Sequence, residues 1–316
     1  MHKIFKLNYM AARYMTVFLF FFLFLTLHTR SYGQENATIK RDTTKGFDFF
    51  FNPGMYVGNK KNANYYRGFP TQESDFAQPD INYVLNPDPN NPYREKIINL
   101  IKDKYNVGGY DLWLNEKDVS NMLYSANFSF GIGARYRFTK NLSIGVVLTQ
   151  ALMSAHGTAF LSVKIYETNS NDAVRCFLVG KERRTAFELN AIYVFSTQGM
   201  LSPIFEGGLH VNNTKPISAD LIVEEHSFNM MNQYGPDPYM YPTETDRKRG
   251  GVGTGFSLAA GLRITFNKWA AIEPVAQFRY EKVNLAGYDA ITPNYNFMIR
   301  LVIGDGFFAN RKVNSE

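Results

Sequence analysis

Ser154 and His156 stand two residues apart, and on an extended chain alternate residues face the same way. The pair could therefore set an imidazole against a hydroxyl nucleophile. That chemistry also needs a third group to orient the ring, and the spacing around Ser154 supplies no acid for it. Glu206 and His210 share a strand phase but lie about 13 Å apart at β-rise, too far for direct acid–base partnership. Glu273 and Glu281 are further apart still, so paired-carboxylate catalysis has no support. Cys176 is the only cysteine, which excludes an intrachain disulfide, and spacing offers its thiol no base. The run Gly250-Gly251-Val252-Gly253-Thr254-Gly255 lacks the Gly-Lys-Ser/Thr of a phosphate loop and leads into a strand. Asp237-Pro238 and the scattered acids lack the alternating Asp/Asn spacing of a calcium loop. These residues point to no enzyme, no cofactor and no metal.

Other charged residues share a different logic. Asp48, Glu188, Glu206, Glu273 and Glu281 fall on one phase of alternating segments, as do Arg135, Arg137, Arg263, Arg279 and Arg300, with His210 and Gln277 among them. Acids and arginines in near-equal number can form bidentate ion pairs that satisfy both partners, whereas unpaired charges in a narrow interior are costly. The expected chemistry is a self-neutralising salt-bridge network.

The elements that position these groups are strands. Leu123–Phe138 reads LYSANFSFGIGARYRF, with Phe128, Phe130, Ile132, Tyr136 and Phe138 on one phase and Ser129, Gly131, Arg135 and Arg137 on the other. A strand this long, greasy on one side and polar on the other, suits lipid outside and a polar interior within. The same alternation recurs over Gly46–Gly58, Leu142–Met153, Thr185–Ser196, Leu201–Asn212, Gly253–Phe266, Trp269–Val283 and Asn294–Phe308. Tight turns at Thr139–Asn141, Thr197–Met200 and Asn267-Lys268 alternate with long polar stretches at about 59–122, 154–184, 213–252 and 284–293. The pattern predicts an all-β, eight-stranded antiparallel transmembrane up-and-down barrel over 46–308. In lipid only helices or closed barrels satisfy every backbone polar group.

The ends of the chain fit export. Lys3, Lys6 and Arg13 precede the apolar run Thr16–Leu27, and Ser31 and Gly33 suit cleavage before Gln34. The run spans about 18 Å as helix, short of the ~30 Å hydrocarbon core, so residues 1–33 read as a cleaved signal peptide. Residues 34–45 would be a periplasmic N-terminal segment and 309–316 a C-terminal tail. Without Lys3, Lys6, Arg13 and Arg30 the formal charge drops from +6 to +2. The remaining Lys and Arg are not clustered as nucleic-acid binding requires.

The signal ending SYGQ, the eight strands and the terminal NFMIRLVIGDGFF resemble small outer-membrane β-barrel proteins of Bacteroidota type. The pattern is similar to that of the OmpA transmembrane-domain, OmpX, OmpW and PorT-like barrels. The resemblance implies a cell outer-membrane location with both termini periplasmic, contact with outer-membrane lipid, and external loops that serve partner binding or surface structure. It also implies the alternatives of a narrow OmpW-like channel for small solutes or a PorT-like accessory to a protein secretion system, with a surface or secretion-machinery protein as partner.

The first long loop breaks regular structure at Asn86–Pro92, then places Ile97, Ile98, Ile101 and Tyr105 at helical spacing, which predicts a short amphipathic helix. The third holds Met230, Met231, Tyr234, Tyr239, Met240 and Tyr241, residues that suit either a binding surface or a membrane-interface girdle. Ile97, Ile101, Tyr105, Tyr234, Tyr239 and Tyr241 are the candidate partner-binding residues.

Overall fold

A computed structural model describes residues 45–70, 78–85, 92–105, 110–165, 170–195, 197, 199–231, 249–267 and 269–304. Eight antiparallel strands close into a ring in chain order: β1 (Gly46–Val57), β2 (Asn127–Arg137), β3 (Leu142–Ile165), β4 (Ser170–Val194), β5 (Leu201–Val223), β6 (Gly251–Thr265), β7 (Ala270–Lys282) and β8 (Ile291–Gly304). Closure runs through β1–β8, with Asp48 opposite Gly304 and Tyr56 opposite Asn296. The ends of β1 and β8 meet at the rim that carries the tight turns (the turn end); the longer connections rise from the other rim (the loop end).

The outward side chains form a continuous apolar belt that includes Phe49, Phe130, Ile144, Leu189, Phe205, Leu258 and Leu301, all exposed. Aromatic rings mark both of its edges. At the turn end Tyr136 packs against Phe47 in a tilted pair and against Phe138 in a T-shaped one, each with centroids 4.9 Å apart. At the loop end Phe256 meets Tyr280, and Phe278 meets Tyr295, each pair at 5.7 Å. On β3 the belt runs from Leu142 to Leu152, a height of about 25 Å at the usual strand tilt. A closed barrel with such a belt and two aromatic girdles is the form in which β-structure crosses a membrane.

The belt stops well before the strands do. The stretch 154–184, expected as a loop, is strand over most of its length, because β3 continues to Ile165 and β4 begins at Ser170. Likewise β5 runs to Val223, well into the expected loop 213–252, and pairs with a short strand at His226–Asn229. In this overhang the hydrophobic phase inverts. Ala155, Ala159, Leu161 and Val163 of β3 and Val174, Cys176 and Leu178 of β4 point inward and are buried, while outward neighbours such as His156, Lys181 and Arg183 are exposed. Water replaces lipid outside, so the apolar side must turn to the interior. On β5 the inward phase also shifts by one residue, through an irregularity opposite Lys181 and Glu182.

The first loop packs on this inverted face. Among its described residues it holds three α-helices, where one was expected: α1 (Lys60–Ala63), α2 (Ile81–Leu85) and α3 (Pro92–Tyr105). Tyr65, Tyr66, Ile81, Val84, Leu85, Ile97 and Met122 join the inner faces of β3–β5, together with Phe228, Met230 and Leu285, in one hydrophobic core. This cap sits at the loop end of the barrel. Its seats are close-fitting: a Cβ on Gly180 would fall 2.1 Å from the Tyr66 ring, and one on Gly157 would fall 2.3 Å from the Met122 sulfur. Arg67 clamps the loop by donating to the Glu116 carboxylate at 2.7 Å and to the Val119 carbonyl at 2.9 Å.

Two further expectations about element boundaries are corrected. Leu123–Phe138 is interrupted at Ser125-Ala126, which turns Tyr124 from the outer wall toward the interior, where its hydroxyl accepts from Arg184. β8 starts at Ile291, inside the expected loop 284–293, and residues 305–316 lie outside the described residues. The signal peptide and all of the N-terminal segment but Lys45 also lie outside them.

Candidate functional site

The inward phase of the strands carries polar side chains in three tiers, beside small apolar clusters such as Ile192, Ile204, Val275 and Met298. In the tier at the turn end, Arg135 donates from Nε to Asp48 at 3.0 Å and forks onto both oxygens of Glu273 at 3.1 and 2.7 Å. Arg263 meets the same carboxylate at 3.0 Å, and Arg300 reaches it at 3.1 Å while gripping both oxygens of Glu206. Arg137 lies 3.2 Å from Asp48. Phe50 floors this tier, its ring packed over Gly133 and 4.7 Å from the Arg300 guanidinium. Gly133 is required there, since a Cβ would fall 2.4 Å from the ring.

The middle tier centres on Glu188, which accepts from Arg279 at 2.8 Å, Gln277 at 2.7 Å and Ser257 at 2.6 Å. In the upper tier Glu281 accepts from the Tyr56 hydroxyl and from Asn212 at 2.9 Å, and lies 2.7 Å from His210 Nε2. Arg184 spans from this tier into the cap. Its Nε donates to Glu182 at 2.6 Å, and its other nitrogens donate to Tyr56 and Tyr124 at 3.3 and 3.1 Å. Tyr66 of the cap donates to the other oxygen of Glu182 at 2.7 Å. Burial beside that carboxylate pushes the Tyr66 hydroxyl well above its ordinary pKa, so it stays a donor.

All ten charged residues expected in the interior are buried there and paired. Two more, Glu182 and Arg184, were missed because they fall in the stretch read as loop. Their signal was present: Glu182, Arg184, Ala186, Glu188 and Asn190 alternate without interruption. Among the described residues the buried charges are then six carboxylates and six guanidinium groups, besides His210. His210 pairs with Glu281 over Gly255 of the intervening strand and Glu206 with Arg300, so the two residues that share a strand serve separate tiers. A cavity between Tyr56, Ala151, Arg184, Ala186 and Arg279 is about 10 Å³, room for about one water.

Ser154 and His156 do meet, Oγ to Nε2 at 3.2 Å, on the outer wall just above the belt. No carboxylate among the described residues hydrogen-bonds the ring, so the dyad lacks an orienting acid. No cluster of ligands suited to a metal occurs among the described residues. Of the loop candidates, Ile97 is corrected: it is fully buried in the cap core, because the apolar face of α3 packs inward, with Tyr93 edge-on to Phe228 at 6.0 Å. Met230 and Met231 are buried in the same core. Ile101 and Tyr105 lie further along α3, and Tyr234, Tyr239 and Tyr241 lie outside the described residues.

No family model matches the chain, and neither does any curated protein. Solved structures to which it is similar include Neisserial surface protein A, at TM-score 0.38 and 10% identity over 83% of this chain and 99% of that one. The outer membrane protein OprG from Pseudomonas aeruginosa gives 0.31 and 13% over 84% and 96%. The N-terminal β-barrel domain of Pseudomonas aeruginosa OprF gives 0.27 and 15% over 58% and 90%.

Proposed function

We propose that this chain is a non-enzymatic integral outer-membrane barrel whose interior is sealed, and whose capped loop end serves surface structure or docks a protein partner. The observation that carries the reading is the interior itself. Among the described residues six carboxylates and six guanidinium groups are buried in hydrogen-bonded tiers, and the cavity beside Tyr56, Arg184 and Arg279 has room for about one water. A conducting lumen of eight strands would need that width kept open, and eight strands leave an interior that side chains can just fill. The cap adds a hydrophobic core over the same mouth. Export by a cleaved signal peptide and periplasmic termini belong to the same proposal, supported by Lys3–Gly33 and by the tight turns at one rim.

Planar-bilayer recording tests it. The full-length barrel should insert without a stable open current. A steady, solute-selective conductance from the wild-type protein would overturn the sealed reading and favour a channel. Crosslinking in cells through the cap then reports whether a partner protein docks there.

A further inference from the structure

Where the lipid-facing belt ends on β4 and β5, the outer wall carries three exposed cations. Arg183 stands directly opposite Lys215, and Lys181 follows two residues along β4 on the same face. None of the three forms an ion pair among the described residues, whereas every buried guanidinium of the interior lies against a carboxylate. Like charges directly opposite on one sheet face, with Cβ atoms about 5 Å apart, repel. The arrangement is complementary to an anion. The acid that comes nearest by register, Asp220, lies opposite Val179, a further row away from the belt.

The level of these cations identifies the anion. Two residues toward the membrane from Arg183 and Lys215 are Thr185 and Asn213; two further are Phe187 and Val211, both facing lipid. Phe187 in turn borders an apolar groove of about 590 Å³ on the outer wall, lined also by Phe49, Phe51, Ile132, Val146 and Leu148. An amphiphile whose chain lay along that wall would bring its headgroup to the basic row. The bulge opposite Lys181 and Glu182 falls at the same height, where a bulge re-aims side chains.

We propose that Lys181, Arg183 and Lys215 bind the phosphate of an anionic membrane lipid, with its acyl chain along the wall at Phe187 and Val211, at the edge of that groove. The site depends on the barrel spanning a bilayer, and the test separates the two. Full-length protein is inserted into phosphatidylcholine vesicles, extracted in neutral detergent, and titrated with dimyristoyl phosphatidic acid or dimyristoyl phosphatidylcholine under native mass spectrometry. The expected result is a one-to-one complex with phosphatidic acid and a clear preference over phosphatidylcholine. The variant K181Q/R183Q/K215Q should weaken that complex on the order of a hundredfold. K60Q/K61Q, which removes exposed charge from the cap, should leave it unchanged.

Equal retention of the two lipids by wild type overturns the site, as does undiminished binding by a triple variant of normal heat-dependent mobility. Displacement of the lipid by inorganic phosphate at matched concentration would assign the row to a free anion and also overturn the proposal. If the triple variant does not fold, Arg183→Gln alone should weaken binding about fivefold, and no change refutes the site. Failure of wild type to enter vesicles would instead overturn the barrel reading on which the site rests.

Discussion

Glu273→Gln probes the interior at its most connected point. The carboxylate takes two bonds from Arg135, a third contact from Arg263 at 3.0 Å and a fourth from Arg300 at 3.1 Å, and the residue has no exposed surface. Glutamine keeps the volume but removes the charge. Arg135, Arg137, Arg263 and Arg300 would then face only Asp48 and Glu206, which raises the excess positive charge of this buried tier from one to two. Removing one partner of a buried pair costs about 3–5 kcal/mol, most of it the desolvated charge left behind. The expected loss lies in that range. Urea unfolding from lipid vesicles, followed through Trp113 and Trp269, measures it. The control is Asp289→Asn, which breaks the Lys282–Asp289 pair at 2.8 Å where both side chains are well exposed. That pair should contribute no more than about 1 kcal/mol. A Glu273→Gln loss as small as the control would refute the claim that this carboxylate offsets the buried arginines around it. So would a double-mutant cycle with Arg135→Gln that shows no coupling, since residues sharing such a network usually couple by about 0.5–3 kcal/mol.

Further outcomes follow from the cap and the wall. Gly180→Val should drive Tyr66 off its seat at an overpacking cost of about 1–3 kcal/mol; maleimide labelling of fully buried Cys176 should then accelerate, and an unchanged rate refutes the fit. Tyr66→Phe removes the donor to Glu182 and should loosen the cap by about 1.5–3 kcal/mol, the range for hydrogen bonds to charged groups; limited proteolysis within residues 60–120 is the readout, and wild-type resistance would count against the link. His156 is held below its ordinary pKa by desolvation and then by the Lys181 ammonium. The folded protein therefore binds that proton less tightly than the unfolded chain, so the contribution is intact at high pH and is lost as pH falls from the unfolded toward the folded value. An NMR titration should place the midpoint under the usual ~6.5, and Lys181→Gln should raise it; no movement would refute the pairing.

The eight strands and ten of the twelve interior charges were legible in sequence because lipid outside and polar groups inside give a plain period of two. Phe187, Leu189 and Tyr193 against Glu188 and Asn190 can be read no other way. Beyond Met153 and before Thr185 the alternation persists with its sides exchanged, so residues such as Leu161, Val163 and Leu178 read as loop when sought on the lipid phase. Glu182 and Arg184 were lost with them. The cap was less legible for another reason. Tyr65, Tyr66, Ile81 and Val84 belong to short, irregular elements whose burial is set by the concave face they pack on, not by any repeat of their own. Only α3 was long enough to show its period, and its buried face hid Ile97 from the solvent that a binding residue requires.

The exchange of sides along β3–β5 also acts as a depth gauge. A strand that was apolar outward for its whole length could slide along the bilayer normal at little cost. Here a shift toward the turn end would carry Arg183, Lys181 and Lys215 into hydrocarbon, where a cation on the lipid face costs about 2–4 kcal/mol at the midplane. A shift the other way would lift Leu152, Phe187 and Val211 into water. The chain thus encodes its vertical position in the bilayer as well as its fold, and the cap is held at a defined height above the surface.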